Sequence, residues 1–546
     1  MKNAFSVFRM PAIKEKLRGC AVFQRPATTP RVNTVSFLSI PAGIVPDQEA
    51  VVCEGARFSY ADTLTRVRRL AGALAARGVG PGTRVAALHV NSHRSVEAYY
   101  ATAMLGGVFI PLNYRAKLPE LEHMLSTGRA RVLLVGERYL EMVESLRGKL
   151  PALEIVLGFD ASVRGEVDYE TLLASAPEHD DEAAVDDDDT TILMYTSGTT
   201  ALPKGVMLTH HDFTAYVTAN VELADGTPRG AALLCVPLYH IAGASNMMTT
   251  LWTGRRLVLM PQFEPRAWID LVERERITHA FLVPTMVKKL LDEPDLERRD
   301  LSSLEILSYG GAAMPFPIVR RAIERFPKNV GFVNAFGQTE TTSTLTILGP
   351  DDHRLDGTPA EIERKTKRLT SIGRPLPDVE VQIVGDDGNV LGAGEVGEIC
   401  VRTPRVMKGY AGAESPLVRD GWLPTRDMGW VDEDGYLYIA GRKDDMIIRG
   451  GENIAPAEVE AVLQSHPAVE EAAVIGVPDL EWGQRVAAFV VVRPGGAVDG
   501  ESLGTFCRDR LASFKKPELI QFVAELPKNP MGKILRRELR AQLDRS

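Results

Sequence analysis

Four hydroxyl side chains and a glycine precede a proline-fixed lysine in Tyr195-Thr-Ser-Gly-Thr-Thr-Ala-Leu-Pro-Lys204-Gly205, directly after the apolar run Ile192-Leu193-Met194. That composition suits a loop that wraps a polyphosphate. Gly198 lets the backbone approach an anion closely, and successive N–H groups form an anion-binding concavity. The hydroxyls of Thr196, Ser197, Thr199 and Thr200 add donors or metal ligands, and Lys204 supplies a point charge. Lys204 follows Pro203, and no Ser or Thr follows it, so this is not a Walker A loop. The plainer alternative is a polar surface loop, which most Ser/Thr/Gly clusters are.

Three further clusters carry chemistry. In Asn334-Ala-Phe-Gly337-Gln338-Thr339-Glu340, Gly337 permits a tight turn and Phe336 can stack on a planar ligand. Glu340 is a hard oxygen ligand suited to Mg²⁺. A capped helix start would use Thr339 and Glu340 equally well. Next come Asp427-Met-Gly429-Trp430 and Gly441-Arg442-Lys443-Asp444-Asp445. An acid can accept from ribose hydroxyls, and an Arg can meet a phosphate or the sugar. Two charged hairpin ends would read the same way. The last cluster is Pro530-Met-Gly532-Lys533-Ile-Leu-Arg536-Arg537. A lysine after glycine on an exposed turn can swing into a distant site, whereas an isolated basic helix start would mean little.

The elements that must position these groups alternate. Residues 60–77 have helical spacing and stop at Gly78-Val79-Gly80-Pro81-Gly82; residues 84–89 read as a buried strand, 95–105 as a helix and 108–111 as a strand. A second series follows, with strands near 233–236, 256–260, 279–283 and 304–308 and helices near 243–252 and 265–275. Such βα alternation implies largely parallel, helix-covered sheets. Residues 378–440 change to short alternating strands between Gly/Asp turns, which suggests an antiparallel, barrel-like subdomain. Residues 351–369 form a polar insertion, and the acidic run Asp186–Asp189 reads as a solvated turn. After Gly441 a compact α+β module of about 100 residues follows, with helices at 456–465 and 501–513 and strands at 469–477 and 484–492. The expected division is an N-terminal extension over 1–35, a large domain over 36–441 and a small mobile domain over 442–546.

The whole chain has 546 residues, too many for one ordinary core, and a globular composition with 45% hydrophobic and 25% charged residues. A net charge of −9 argues against nucleic acid as the main partner. The five cysteines are scattered without zinc-site spacing, which fits reduced thiols in the cytoplasm. No stretch has the roughly 20 apolar residues that span a bilayer. The basic N-terminus allows a transit peptide or weak peripheral contact with a membrane; an arm packed on the protein or a partner is the default.

Together, in order and spacing, the four clusters resemble the adenylate-forming superfamily: acyl-CoA synthetases, firefly luciferase and nonribosomal peptide adenylation domains. The resemblance covers residues from about 50 to 540, and Met446 to Glu458 is similar to the fatty-acyl-CoA synthetase branch. It implies an α/β fold: two parallel-type α/β subdomains plus a β-barrel-like one, then a small mobile α+β domain. It also implies ATP, Mg²⁺ and coenzyme A, a small-molecule carboxylic acid, and an acyl-adenylate intermediate; a homodimer is compatible with it. Thr196 to Thr200 with Lys204 would hold the β- and γ-phosphates, with Thr196 and Glu340 as metal ligands. Gly310, Gly311 and Ala312 with Phe336 look like the adenine site, within the same nucleotide segment as Asn334 and Gly337. Thr339 would meet the α-phosphate, Asp427 the ribose hydroxyls and Arg442 the nucleotide beside it. Lys533 would bridge the carboxylate and the α-phosphate, and His240 resembles the histidine lining the acyl path. Asp444 matches the hinge about which the C-terminal domain rotates between half-reactions. That rotation would bring Gly450, Gly451 and Trp482 toward pantetheine, and Lys515 and Lys516 toward CoA phosphates.

Two positions depart from the family pattern. Ala201 stands where glycine is usual; if positive φ is needed there, it costs about 1–2 kcal/mol. Phe336 replaces a common Tyr, keeping the stacking surface and losing a hydroxyl. For the acid, Ala244 is small, Met247 and Met248 are adaptable liners, and no charged residue is evident in the pocket strands. A medium- or long-chain fatty acid is therefore expected first and an aromatic or alicyclic acid second. A stand-alone enzyme that loads a carrier protein is the alternative to a CoA ligase.

Overall fold

The computed structural model describes residues 32–160, 168–196, 202–413, 418–450, 452–529 and 532–543. Phosphate-loop residues Ser197, Gly198, Thr199, Thr200 and Ala201, as well as Gly451, lie outside the described residues. So do residues 1–31 of the expected extension, whereas Thr34 and Val35 are fully buried. Thr34 is tied to His210: its backbone N–H lies 3.0 Å from Nδ1 and its hydroxyl 3.1 Å.

Two mixed sheets form the large part. In the nine-stranded sheet, Glu49–Cys53, Arg256–Leu259, Ala231–Leu234, His279–Leu282, Ile306–Gly310 and Gly331–Gln338 pair in parallel in that spatial order. Antiparallel strands Ala56–Ser59 and Ser343–Leu348 flank them. The seven-stranded sheet carries Thr190–Thr196 beside Val108–Pro111 in parallel, then turns antiparallel into Lys204–Thr209 and Gly409–Tyr410. Central strands such as Val132–Val135 and Ala231–Leu234 are buried at every position, as strands covered on both faces require.

Helix Tyr60–Ala75 shows why the local boundaries fall where they do. Ser59 accepts from the Asp62 N–H at 3.0 Å, and Asp62 accepts from the Ser59 N–H at 3.1 Å, closing a capping box.

A four-stranded antiparallel sheet over Glu380–Val384, Gly397–Arg402, Leu423–Val431 and Leu437–Arg442 occupies the region expected to change character. Asp186–Asp189 is a turn, with the Asp189 N–H donating to the Asp186 carbonyl at 2.9 Å. Beyond Arg442, Val469–Asp479 and Gly483–Val492 form a hairpin, with Leu519–Phe522 added in parallel. Its strand residues alternate between two cores. Ala472 and Val474 pack with Val459 and Leu503 on one side, Ala473 and Ile475 with Leu526 and Leu539 on the other.

Both nucleotide-type segments therefore sit at equivalent places. Thr196 and Gln338 each end a parallel strand at which the sheet turns antiparallel. Carboxyl ends of strands at such switches are where open α/β sheets hold ligands.

Candidate functional site

The strands on either side of the phosphate run are antiparallel, and Thr196 pairs directly with Lys204. This end of the pair is pinned from a neighbouring helix. The Tyr195 and Thr127 hydroxyls lie 2.8 Å apart, and His123 Nε2 lies 2.9 Å from the Pro203 carbonyl. Lys204 is exposed and stands 5.4 Å from the Tyr410 ring centroid.

A strap over residues 405–411 joins this strand pair to the Glu340 turn. The Ala411 N–H donates to Gly205 at 2.8 Å, the Lys408 N–H to Met207 at 3.0 Å and the Met407 N–H to the Glu340 carbonyl at 2.9 Å. The Tyr410 hydroxyl donates to Glu340 Oε1 at 2.8 Å. Below it the Arg405 side chain is 0% exposed. Arg405 donates to the carbonyls of Thr341 and Thr344, each at 2.7 Å, and from Nε to Asp378 at 2.6 Å. Those bonds fix the backbone after Glu340, where Thr342 and Ser343 adopt positive φ of 48° and 83°. Sequence reasoning missed both Arg405 and Tyr410; the one available signal was the Lys-Gly-Tyr run in a region otherwise read as short strands.

On the other wall, Asp427 and Arg442 face each other across adjacent antiparallel strands. Arg442 Nε lies 2.8 Å from Asp427 Oδ1, and Gln338 Nε2 donates to Oδ2 at 2.6 Å. Burial pushes the Asp427 pKa up, while Arg442, Gln338 and Lys533 oppose the rise and Glu340 adds to it. Gln338 also donates to Thr425 O at 3.0 Å, so its amide orients the carboxylate. It too was missed, having been named in the Asn334–Glu340 cluster without a role.

Lys533 comes to this wall on a tight turn. Its N–H donates to Asn529 Oδ1 at 2.9 Å and its carbonyl accepts from the Asn529 N–H at 2.9 Å. Lys533 is exposed, yet its ammonium is flanked by protein. That surrounding protein, then Arg442, push its ammonium pKa down; Asp427 and Asp445 push it up. Asp444, at the expected hinge, is paired with Arg426, whose Nε lies 3.3 Å from Oδ2.

The remaining candidates divide. Gly310 and Gly337 are needed for close approach, because a Cβ would fall 2.0 Å from Ala335 O and 1.9 Å from Ser343 O respectively. Gly311 and Ala312 follow Gly310 in the turn, Thr339 begins the short turn that carries Glu340, and Phe336 packs toward the antiparallel sheet. Asn334 donates to the Ser371 carbonyl at 3.2 Å, a bond that ties strand to loop. Gly450 donates its N–H to Trp482 O at 2.8 Å, within the C-terminal part.

His240 precedes helix Ile241–Trp252, and its buried Nε2 has no partner. Burial, then Arg115, lowers its pKa to about 3, so the ring is neutral at ordinary pH. The helix corrects one expectation. Met247 and Met248 are core residues at 2% and 0% exposure, not pocket liners. The open face carries Ala242, Asn246 and Thr249, spaced four and three residues apart. The Oδ1 of Asn246 has no partner.

Mg²⁺ takes one or two carboxylates and otherwise water and phosphate oxygens. Glu340 fits that role, since its Oε1 is fixed by Tyr410. Among the described residues no group of three or more His, Cys, Asp or Glu side chains could hold a metal unaided. The donor set thus suits a cation that arrives with a polyphosphate.

Comparison with known proteins agrees with this geometry. The AMP-binding enzyme family matches residues 42–411, and the AMP-binding enzyme C-terminal domain matches residues 458–533. The chain is 38% identical over 507 residues to a feruloyl-CoA synthase of Amycolatopsis sp, covering 91% of this chain and 96% of that protein. It is 35% identical to a fatty acid–[acyl-carrier-protein] ligase of Streptomyces coeruleorubidus, covering 94% and 96%. The solved structure of ATP-bound MatB from Rhodopseudomonas palustris superposes with a TM-score of 0.82 at 30% identity, covering 93% and 98%. The chain belongs to the AMP-binding family of adenylate-forming enzymes and is an AMP-forming acid–thiol ligase of the acyl-CoA synthetase class, which works with ATP, Mg²⁺ and CoA.

Proposed function

We propose that this protein activates a hydrophobic monocarboxylic acid as its adenylate and passes the acyl group to coenzyme A. Supporting the reading is the convergence of Asp427, Arg442, Gln338, Glu340 and Lys533 on one cleft. Asp427 would accept the ribose hydroxyls, with Arg442 beside it favouring the carboxylate form. The turns at Gly310 and Gly337 would take adenine, with Phe336 beside it. Thr339, Lys204 and the run from Thr196 would hold the phosphates. Glu340 and Thr196 would ligate Mg²⁺, which when bound neutralises phosphate charge.

In the first half-reaction the acid's carboxylate oxygen attacks the α-phosphorus, and pyrophosphate leaves with the electrons of the broken P–O bond. Lys533 would offset the negative charge that builds there. In the second, the thiol sulfur attacks the acyl carbon, loses its proton to solvent, and AMP departs. Lys533 serves only the first step. We therefore place a hinge near Asp444, with a large domain over 36–441 and a small mobile one from Arg442 onward. His240, neutral, would line the acyl path without exchanging a proton. Gly450 and Trp482 would meet pantetheine after rotation. The four described cysteines are buried free thiols, which supports a reducing, cytoplasmic setting.

The open face of helix Ile241–Trp252 carries no charged residue, which supports a medium- or long-chain fatty acid. A specific observation favours a second reading. A saturated chain leaves Asn246 Oδ1 unsatisfied, whereas an aromatic acid with a hydroxyl donor would pair with it. The feruloyl-CoA synthase relative belongs with that reading, and the fatty acid–carrier relative with the first. Measuring AMP and pyrophosphate release on a panel of fatty and aryl acids, with and without CoA, decides. Turnover that CoA leaves unchanged would move the acceptor to a carrier protein, and no acid-dependent AMP would sink the proposal.

A further inference from the structure

Helix Pro284–Leu291 belongs to the large part of the molecule, yet one of its faces is occupied by the C-terminal part. Thr285 and Lys288 are three residues apart and so share that face. Lys288 Nζ lies 2.8 Å from Glu470 Oε1, on the strand Val469–Asp479. Its second partner, Asp292 at 3.1 Å, is itself held by Arg321 at 2.8 Å. Thr285 meets the turn that carries Lys533. A Cβ on Gly532 would fall 2.6 Å from Thr285 Cγ2 and 2.9 Å from its hydroxyl, and Gly532 has φ of +77°. One helical turn therefore grips both the lysine-bearing turn and the body of the sheet behind it.

The geometry points to this face as a latch that holds Lys533 in the cleft, with Lys288, Glu470 and Thr285 as positioning residues for the first half-reaction. The inference rests on the functional reading above, and it deepens that reading by naming what sets the balance between the two half-reactions. None of these side chains touches the reacting atoms. The Lys288 and Glu470 side chains are 32% and 22% exposed, so their pairing is partly screened and readily broken. A docking contact that must release between half-reactions needs that modest strength. Gly532 matters for a different reason: it lets the turn seat flush on Thr285, which any side chain there would prevent.

Charge reversal tests the latch. In Lys288→Glu and in Glu470→Lys, adenylate formation with an accepted acid should fall about 3- to 10-fold. Thioester formation from supplied acyl-adenylate should stay within about twofold, because the latch is open in that step. The double variant Lys288→Glu with Glu470→Lys should recover most of the first rate. Equal loss in both half-reactions, or no recovery in the double variant, would overturn the latch. A measurement independent of activity accompanies it. With cysteines at 288 and 470, a short bis-maleimide should join the two positions, as seen by peptide mapping. Absence of that link overturns the latch whatever the enzyme does. Presence of the link in a protein whose wild type adenylates no acid would support the contact and place the failure in the functional reading.

Discussion

The two walls of the cleft are held in opposite ways. On the large side the two carboxylates are locked from behind. Gln338 and Arg442 fix Asp427, Tyr410 fixes Glu340, and fully buried Arg405 fixes the backbone between them. On the other side Lys533 is tied to Asn529, and its segment is held by the Thr285 and Lys288 contacts. On the proposed reading, groups needed through both half-reactions would be built into rigid sheet ends, and the group needed in only one would be mounted where a weak contact can release it. The sequence hints at the same split, since the nucleotide clusters follow strands and Lys533 follows a glycine.

The largest effect should come from breaking the rigid wall at its base. Arg405→Met keeps the volume but strands Asp378 and two carbonyls in the interior. Removing one partner of a buried pair costs about 3–5 kcal/mol. Urea unfolding of the full chain should show that loss, and both half-reactions should suffer together because the Glu340 turn loosens. A stability change under about 1 kcal/mol would show that the strap, not Arg405, holds the wall.

Lys533→Ala attacks the other wall and should behave differently. Losing one preorganised charge partner lowers the adenylation rate by about 100- to 1000-fold. Stability and thioester formation from supplied adenylate should be unaffected, since the residue sits on an exposed turn. Loss of both steps would contradict a lysine used once and removed.

The rigid wall was only half legible in the sequence. Asp427 and Glu340 stand out because each sits in a Gly- and aromatic-containing cluster whose order and spacing carry the family resemblance, as Lys533 does for the other wall. The pairing of Asp427 with Arg442 does not follow from the Asp432–Gly435 hairpin: its register alone would set Asp427 opposite Gly441, and a register shift between Met428 and Gly429 brings Arg442 there. Arg405 and Gln338 were not legible: each acts through long-range bonds that local patterning does not encode. Helix Ile241–Trp252 misled for a related reason. Almost all its residues are apolar or small, so periodicity could not say which face the core would take, and Met247 and Met248 went inward. Most strands and helices were found within a few residues, since short apolar runs bounded by Gly and Pro leave few other choices.

The same asymmetry should appear in acid. Burial lowers His93, His210 and His353 to about 4 and His240 to about 3, and all four lie before Arg442. An unfolded histidine titrates near 6.5, so between about pH 6.5 and 4 the unfolded chain binds more protons and stability falls as pH falls. His353 accepts from the Tyr309 hydroxyl at 2.9 Å and its Nδ1 lies 2.8 Å from Gly349 O, contacts an amide can copy. His353→Gln should therefore lose about 2 kcal/mol less than wild type between pH 6.5 and 5. Equal losses, read from urea midpoints at the two pH values, would mean acid attacks elsewhere.

The smallest effect is the most diagnostic of how the rigid wall works. In Tyr410→Phe the ring stays beneath Lys204, and only the donor to Glu340 Oε1 is lost. Burial, with Glu340 beside it, pushes the Tyr410 pKa upward, so the hydroxyl remains a donor at working pH. A single hydrogen bond to a charged acceptor is worth about 1.5–3 kcal/mol when desolvated and less at a half-open site. The expected change is a 3- to 10-fold weaker affinity for ATP with Mg²⁺, about 1 kcal/mol. Metal-free nucleotide should bind as before, because Asp427 and Gln338 are untouched, and thioester formation from supplied adenylate should be unchanged. Calorimetric titration with and without Mg²⁺ separates these cases. If both titrations weaken alike, Tyr410 shapes the nucleotide pocket as a whole and does not aim Glu340 at the metal.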